Sequence, residues 1–358
     1  MRKMNLRHAV PGVVCALLLV MVPLQRTWSD EPAGHGRSFA QALDATLVTA
    51  TASASPGVVA IEVKRKTPEP GPKPPTVPGR PGPRPFIHGT GPVAGVILTP
   101  DGYIVTSLFN VEGDLESVKV TLPDGSQKDA KLLGQDRSRN IALLKVEAVG
   151  LPVLKIVPAG EIRVGQWVLA LGRSFPGENA NVSFGIVSAT NRVAGRAVQT
   201  DASVGPENYG GALVDVEGRL LGILTPVGYS GRVGEAVEVY DSGIGFAIPV
   251  TDILAELERL KAGEVIRPAF LGIEFNNAKM MGGAVVEKVL PDSGAAKSGL
   301  QPKDVIIEFD GRPIDTPVQL LHAIGSRSVG DVVKFKVKRG QESLEFTVTL
   351  GPRPEELS

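Results

Sequence analysis

Cysteine, aromatic residues and net charge are all scarce in this sequence. It has one cysteine, Cys15, its aromatic residues amount to 5 %, and 38 Lys and Arg residues balance 38 Asp and Glu residues. Because Cys15 lies in a segment that we expect to be removed, the mature chain would have no disulfide, thiolate nucleophile or cysteine metal ligand. No Cys/His cluster or repeated Asp/Glu pattern points to a metal, and a formal charge of zero gives no basic field for nucleic acid. We therefore predict no metal, no cofactor and no nucleic-acid partner.

Glycine and aliphatic side chains are what the sequence has in quantity. Its 358 residues include 42 Gly, and hydrophobic residues make up 42 % of the chain. This composition is sufficient for sizeable cores and favours a turn-rich β protein. At roughly 100–200 residues per domain, the length predicts two folded domains with additional segments.

The amino terminus, residues 1–29, has the pattern of an export signal. An apolar run, Val13–Leu24, is short for a membrane span, and it follows the basic residues Arg2, Lys3 and Arg7. Cleavage before Asp30 would release an exported protein, periplasmic or secreted, with no stable membrane span. The alternative is an uncleaved membrane anchor.

Two segments precede the first predicted domain or interrupt it. Residues 30–57 are predicted to be mainly helical, because Ser38 can cap a helix that ends before Pro56. A proline-rich basic segment occupies residues 64–88, and such a composition cannot pack into a core. We expect a solvated loop there, and the alternative is a ligand for proline-binding modules.

Residues 58–263 alternate short β-branched runs with turn signals, among them the Pro-Asp-Gly triplets at 100–102 and 123–125. Such a rhythm predicts two small antiparallel barrels. A helix capped by Thr251 or Asp252 would end the region near Gly263. The expected strands include Val118–Leu122, Ile141–Val146, Val168–Leu171, Val182–Val187 and Leu220–Leu224.

The stretch Gln199–Leu213 contains the most informative motif. It reads Gln-Thr-Asp-Ala-Ser-Val-Gly-Pro-Glu-Asn-Tyr-Gly-Gly-Ala-Leu. This resembles, without a gap, the nucleophile loop of HtrA-like (Deg-type) serine proteases, Gln-Thr-Asp-Ala-Ala-Ile-Asn-Pro-Gly-Asn-Ser-Gly-Gly-Ala-Leu. Further stretches resemble the same family, namely Thr99–Thr106, Val164–Gly172 and Ile244–Pro249. The resemblance implies a mainly β fold, a chymotrypsin-like double β-barrel of the trypsin type.

The resemblance also assigns the family's catalytic positions to residues of this chain. Phe109 stands where the family has its histidine, Asn140 where it has its aspartate, and Tyr209 where it has its serine. Glu207 replaces the oxyanion-hole glycine. Serine-protease chemistry needs a hydroxyl beside an imidazole base and N–H donors aimed at the oxyanion. We therefore predict no catalytic residues and a pseudoprotease; the alternative is a rebuilt site, with His88 as a replacement base.

The second predicted domain, residues 268–351, is a small α+β unit. Ser293–Ile306 resembles the Ser-Pro-Ala-x-x-Ala-Gly-Leu-x-x-Gly-Asp-x-Ile core of PDZ domains. In that family a loop offers backbone N–H groups to a peptide's terminal carboxylate, and the peptide adds as a strand beside a helix, here Thr316–Ile324. The peptide-binding residues that the resemblance implies are Phe270, Leu271, Gly272, Ile273, Glu274, Phe275, Leu321 and Ile324.

Taken together, these patterns predict an exported, catalytically inactive HtrA-like protein that is not an enzyme. It would bind C-terminal or extended peptides of envelope proteins through the PDZ domain, as a chaperone-like or regulatory scaffold. HtrA relatives commonly form trimers, so we expect a homo-trimer or a hetero-oligomer. The alternatives are an active HtrA-type serine endopeptidase with an atypical site and a purely structural envelope protein with a closed groove.

Overall fold

A computed structural model describes residues 34–66, 91–173, 180–227, 243–275 and 282–354. The predicted export signal, most of the proline-rich segment and His88 lie outside the described residues. Within the described ranges, no helix combines the length and the apolar character needed to cross a membrane.

The first element is a long helix, α1 (Gly34–Ala54), with a 3-10 turn after it at Ser55–Gly57. The helix begins before Ser38, so the predicted cap at that residue is wrong. Its small side chains Ala50 and Ala54 are buried and Leu47 packs partly against the same core, whereas Phe39 and Val48 are exposed. The helix is therefore anchored by these alanines and Leu47.

The first barrel consists of six antiparallel strands in the order β5-β4-β1-β2-β3-β6, closed by pairing between β5 and β6. Side chains alternate along the strands, as in β4, where Val118 and Val120 are buried and Lys119 is exposed. The inward residues form one apolar core. The strands are β1 (Val58–Arg65), β2 (Val93–Ile97), β3 (Tyr103–Ser107), β4 (Leu115–Thr121), β5 (Gln127–Asp136) and β6 (Ile141–Val146).

The second barrel closes in the order β10-β11-β12-β9-β8-β7, again from antiparallel pairs. A second core cluster draws on this barrel. A third joins the two barrels, because Val96 and Leu143 of the first share it with Leu169 and Ile223 of the second. The strands are β7 (Trp167–Gly172), β8 (Asn181–Asn191), β9 (Ala197–Thr200), β10 (Ala212–Asp215), β11 (Leu220–Leu224) and β12 (Gly245–Pro249).

Short segments lie at the ends of these strands: the turn α2 (Arg192–Gly195), in which Val193 and Ala194 have left-handed backbone angles, and the helices α3 (Val250–Ala255) and α4 (Leu257–Lys261). The prediction of one helix capped by Thr251 or Asp252 is wrong. The helix begins directly after Pro249, and Glu256, with φ −99° and ψ 2°, breaks it into α3 and α4. After α4 the chain adds β13 (Val265–Ile266) in parallel to β5.

The carboxyl-terminal unit is a sheet in the order β15-β16-β17-β19-β20, with β18 pairing to β17, two short helices, and a separate pair β14–β21. Thr316 and Gln319 form a capping box that fixes the start of helix α6. Its elements are β14 (Ala269–Phe270), β15 (Ile273–Phe275), β16 (Ala284–Val289), α5 (Gly294–Ser298), β17 (Val305–Phe309), β18 (Arg312–Pro313), α6 (Pro317–Gly325), β19 (Val332–Arg339), β20 (Glu342–Thr349) and β21 (Gly351–Pro352).

The predicted fold class is confirmed: a mainly β chain with a double barrel of the trypsin type, followed by a small α+β PDZ domain. The five strands predicted from β-branched runs all lie within observed strands or overlap them.

Candidate functional site

The loop between β9 and β10 carries Tyr209 and is held by its own backbone. The N–H groups of Asn208 and Tyr209 both donate to the carbonyl of Gly205, over 2.8 and 3.2 Å. Gly210 has φ +85°, and a Cβ there would overlap the carbonyl oxygen of Ala94. Only glycine fits this position, so the loop sits tightly against the first barrel.

Phe109 and Tyr209 meet where the two barrels face each other. Phe109 lies in the 3-10 turn Leu108–Val111 that follows β3, and its ring contacts that of Tyr209 edge to face. Each side chain is only 6 % exposed. Two rings thus fill the space between the positions that the resemblance assigns to a histidine and a serine.

Asn140 lies in a buried polar network and not beside a charged or imidazole group. Its Nδ2 donates to Thr225 Oγ1 at 2.9 Å and to the carbonyl of Pro226 at 3.1 Å. Ser107 Oγ and Thr225 Oγ1 are 2.8 Å apart. Asn140 adopts φ +57°, a left-handed conformation that asparagine tolerates. Its Oδ1 is buried and has no hydrogen-bond partner among the described residues.

Asn110 links the two barrels at the same place. Its Nδ2 donates to the carbonyl of Tyr209 at 2.7 Å and to Thr106 Oγ1 at 3.0 Å. We gave Asn110 and Thr225 no role from the sequence. The sequence features that could have identified them are the position of the Asn110 amide directly after Phe109 and that of the Thr225 hydroxyl directly after the apolar strand Leu220–Leu224.

Glu207 is half-buried and turns back over the loop. A Cβ on Gly205 would lie 2.6 and 2.9 Å from its two carboxylate oxygens, so glycine is required there for the carboxylate to approach. The effect of this carboxylate on an oxyanion stays a prediction. Within the described residues, no group of three or more His, Cys, Asp or Glu side chains is arranged to hold a metal ion.

The predicted peptide site surrounds Gly272 in the PDZ domain. Gly272 has φ +92°, and a Cβ there would overlap the side chain of Ser293. Strand β15 pairs with β16 on one edge, and no described strand pairs with its other edge.

The seven predicted peptide-binding residues other than Gly272 differ in the exposure of their side chains. Leu271, Ile273 and Ile324 are buried in the PDZ core, Phe270 and Phe275 are half-buried, and Glu274 and Leu321 are exposed. The exposed carboxylate of Glu274 pairs with Lys288 over 3.3 Å. The role of these residues in peptide binding stays a prediction.

Comparisons with known proteins match two parts of the chain to known domain families. Residues 93–223 match the trypsin-like peptidase domain family, and residues 269–350 match the PDZ domain family. The chain is 36 % identical over 278 residues to the "Probable periplasmic serine endoprotease DegP-like" of Ectopseudomonas mendocina, covering 74 % of this chain and 57 % of that protein. It is 32 % identical over 304 residues to HhoB of Synechocystis, which is named as a serine protease, covering 77 % of this chain and 70 % of that protein.

This chain belongs to the HtrA/DegP-like family of serine proteases. Solved structures of the HtrA family agree: "HtrA-type protease AlgW with decapeptide" is 28 % identical, with a TM-score of 0.63 and coverage of 86 % of this chain and 99 % of that one. A serine endoprotease from Yersinia pestis gives 28 % identity and a TM-score of 0.63, covering 86 % of this chain and 98 % of that one. The chain spans about 57 % of the length of the DegP-like relative.

Our prediction that this HtrA-family chain is not an enzyme is wrong. The relatives that it resembles over most of its length are named as serine proteases, and its structural neighbours are HtrA-type proteases. The prediction rested on three side chains, Phe109, Asn140 and Tyr209, whereas the comparisons extend over both domains.

Proposed function

We propose that this HtrA-family protein binds peptides through its PDZ domain. The observation that carries the proposal is the edge of β15 that no described strand pairs with, next to the loop at Gly272. Such an edge presents N–H and C=O groups with which an extended peptide can pair as an added strand. The exposed side chains Glu274 and Leu321 lie on β15 and on α6, where they can contact that peptide.

The proposed ligands are C-terminal or extended peptides of proteins in the cell envelope. The DegP-like relative is named as periplasmic, and residues 1–29 have the pattern of an export signal, which together support export of this chain. We keep 58–263 and 268–351 as the proposed domain boundaries. Assembly as a homo-trimer or hetero-oligomer also stays a prediction.

A pair of peptides tests the binding proposal. A fluorescent peptide with a hydrophobic C-terminus should bind the full chain at roughly micromolar Kd, about 8 kcal/mol of binding free energy. The same peptide with an amidated C-terminus is the matched control, because it cannot present a carboxylate to the loop at Gly272. Equal affinities in fluorescence anisotropy would show that no terminal carboxylate is recognised.

We also propose that the protein is a serine endopeptidase with an atypical site, a function supported by the named activity of its relatives. A phenyl ring accepts no proton, so the general base of such a site cannot be Phe109. Backbone donors for the oxyanion would require the loop at Tyr209 to release the carbonyl of Gly205, which accepts its N–H.

The endopeptidase proposal is tested with an unfolded protein substrate and a fluorophosphonate probe. We expect substrate cleavage, and we expect the probe to block it by labelling one residue, which peptide mass spectrometry then identifies. Absence of both cleavage and labelling would contradict this proposal without affecting peptide binding. Absence of peptide binding as well would favour the purely structural role.

A further inference from the structure

A cavity of about 150 Å³ lies where the trypsin-like domain meets the carboxyl-terminal end of α6. The turn α2 and the helix α6 are in contact beside it, since a Cβ on Gly325 would lie 2.5 Å from the Cβ of Ala194. Both domains contribute to its wall. Five guanidinium groups line it, those of Arg139, Arg196, Arg259, Arg267 and Arg327, against two carboxylates, those of Asp252 and Glu256.

Three of these arginines already have carboxylate partners. Arg139 pairs with Asp136 over 2.8 Å, Arg259 pairs with Glu256 over 2.7 Å, and Arg327 pairs with Asp310 over 2.6 Å. Those pairs leave hydrogen-bonding capacity: the Nε atoms of Arg139 and Arg327 are buried and have no acceptor among the described residues. A buried donor without an acceptor is unfavourable, so both groups favour an added acceptor.

Arg196 differs from those three because it forms no ion pair with any described carboxylate. Its Nη1 donates to the carbonyl of Ser138 at 2.9 Å and its Nη2 to the carbonyl of Arg327 at 3.4 Å. Burial of this guanidinium, with Arg139 nearby, lowers its pKa to about 10. The group is still cationic at neutral pH. Its hydrogen bonds go only to carbonyls, and the nearby carboxylate of Asp136, which acts to raise its pKa, is itself paired with Arg139. A part-buried cation without an ion pair of its own attracts an anion.

We propose that this cavity binds a small tetrahedral oxyanion of the phosphate or sulfate type, held by Arg196 together with Arg139 and Arg327. The planar guanidinium fork matches two oxygens of such an ion. A cavity of this volume can hold benzene, with six heavy atoms, and a phosphate ion has five. Glu256 is engaged by Arg259, which offsets part of the repulsion that this carboxylate exerts, and the five arginines outnumber the two carboxylates of the lining.

The anion would join the two domains. Arg139 and Arg196 belong to the trypsin-like domain, and Arg327 follows α6 of the PDZ domain. A ligand that binds only the docked arrangement stabilises that arrangement by RT ln(1 + L/Kd), where L is the ligand concentration, so the stabilisation grows with the logarithm of that concentration above Kd. Anion binding in this cavity would be a separate property of the protein, which requires neither peptide binding nor proteolysis.

Thermal unfolding of the full chain tests the site, with inorganic phosphate titrated against chloride at constant pH and ionic strength. Phosphate also stabilises proteins generally by exclusion from their surface, and that effect does not saturate. The comparison is therefore between wild type, Arg196→Gln and the matched control Arg163→Gln, whose side chain is exposed and distant in sequence from the cavity lining. We expect phosphate to raise Tm more in wild type and Arg163→Gln than in Arg196→Gln, by the difference that an affinity at least about tenfold weaker for Arg196→Gln produces.

Identical phosphate dependence in all three proteins would overturn the proposal. If Arg196→Gln fails to fold, Arg327→Gln tests the same site from the PDZ side and should likewise show a smaller phosphate-dependent rise in Tm than Arg163→Gln. A parallel titration with sulfate separates the two sources of the shared chemistry, because a site that selects phosphate responds to one ion and a general oxyanion site responds to both. Isothermal calorimetry with inorganic phosphate gives the affinity independently of unfolding.

Discussion

Phe109 and Tyr209 meet edge to face, with ring centroids 5.7 Å apart and ring planes at 85°. One ring follows the third strand of the first barrel and the other lies between the third and fourth strands of the second. The edge-to-face arrangement is favourable beyond the area that it buries. The pair therefore connects the two barrels where they face each other.

Replacing Phe109 with alanine should destabilise the trypsin-like domain. Removal of a buried phenylalanine leaves a cavity and costs about 3–5 kcal/mol of unfolding free energy, measured by urea denaturation. Phe39→Ala is the matched control, because Phe39 is 61 % exposed, and we expect a change within about 0.5 kcal/mol. Equal effects of the two substitutions would show that the ring contact contributes nothing to stability.

The polar network around Asn140 gives a second prediction. Thr225→Val keeps the side-chain shape but removes the hydroxyl that Asn140 Nδ2 and Ser107 Oγ contact. Loss of this shared hydrogen-bond partner within the buried network should cost about 1–3 kcal/mol. The control Thr347→Val alters an exposed threonine in β20 and should be close to neutral in the same denaturation experiment. Two equal, small changes would contradict the importance of the network.

The elements that could be predicted from the sequence are those set by local pattern. The run Ile141–Val146 is the strand β6, and Ala284–Val289 is the strand β16, because β-branched residues between turn signals specify strands locally. The break at Glu256 could not be predicted, since the apolar periodicity continues across it.

The candidate site was less predictable, because its contacts join distant parts of the chain. The bond from Asn140 to Thr225 spans 85 residues and exists only once the barrels have closed. Arg196 and Arg327 likewise meet across 131 residues, at a boundary between domains that no motif indicates. The motifs located Gly272 and Tyr209 correctly in their loops, but three side chains proved insufficient to decide whether the chain is an enzyme.

Acid stability of the PDZ domain should depend on Asp304. Burial alone would raise the pKa of this carboxyl, but hydrogen bonds from Arg339 and from the N–H of Gln301 lower it below its ordinary value in the folded state. A depressed pKa stabilises the fold above the unfolded value of about 3.9 and loses that contribution as pH falls through the folded value. The difference in unfolding midpoint between wild type and Asp304→Asn should therefore be constant near neutral pH and shrink below pH ~4. A difference that stays constant down to acid pH would exclude this linkage.

Gly272→Val should abolish peptide binding by the PDZ domain. Valine is strained at φ +92°, and its Cβ would overlap the side chain of Ser293, so the loop must move away from the position where it would meet a carboxylate. Strain alone could weaken binding by destabilising the domain, and Gly311→Val is the control for that effect. Gly311 has φ +76° but open space around it, with nothing within 4 Å of an added Cβ. We expect Gly311→Val to lower the unfolding midpoint while peptide affinity in fluorescence anisotropy stays within about twofold of wild type. Loss of binding in both variants would attribute the effect to strain, and retained binding in Gly272→Val would place the peptide site elsewhere.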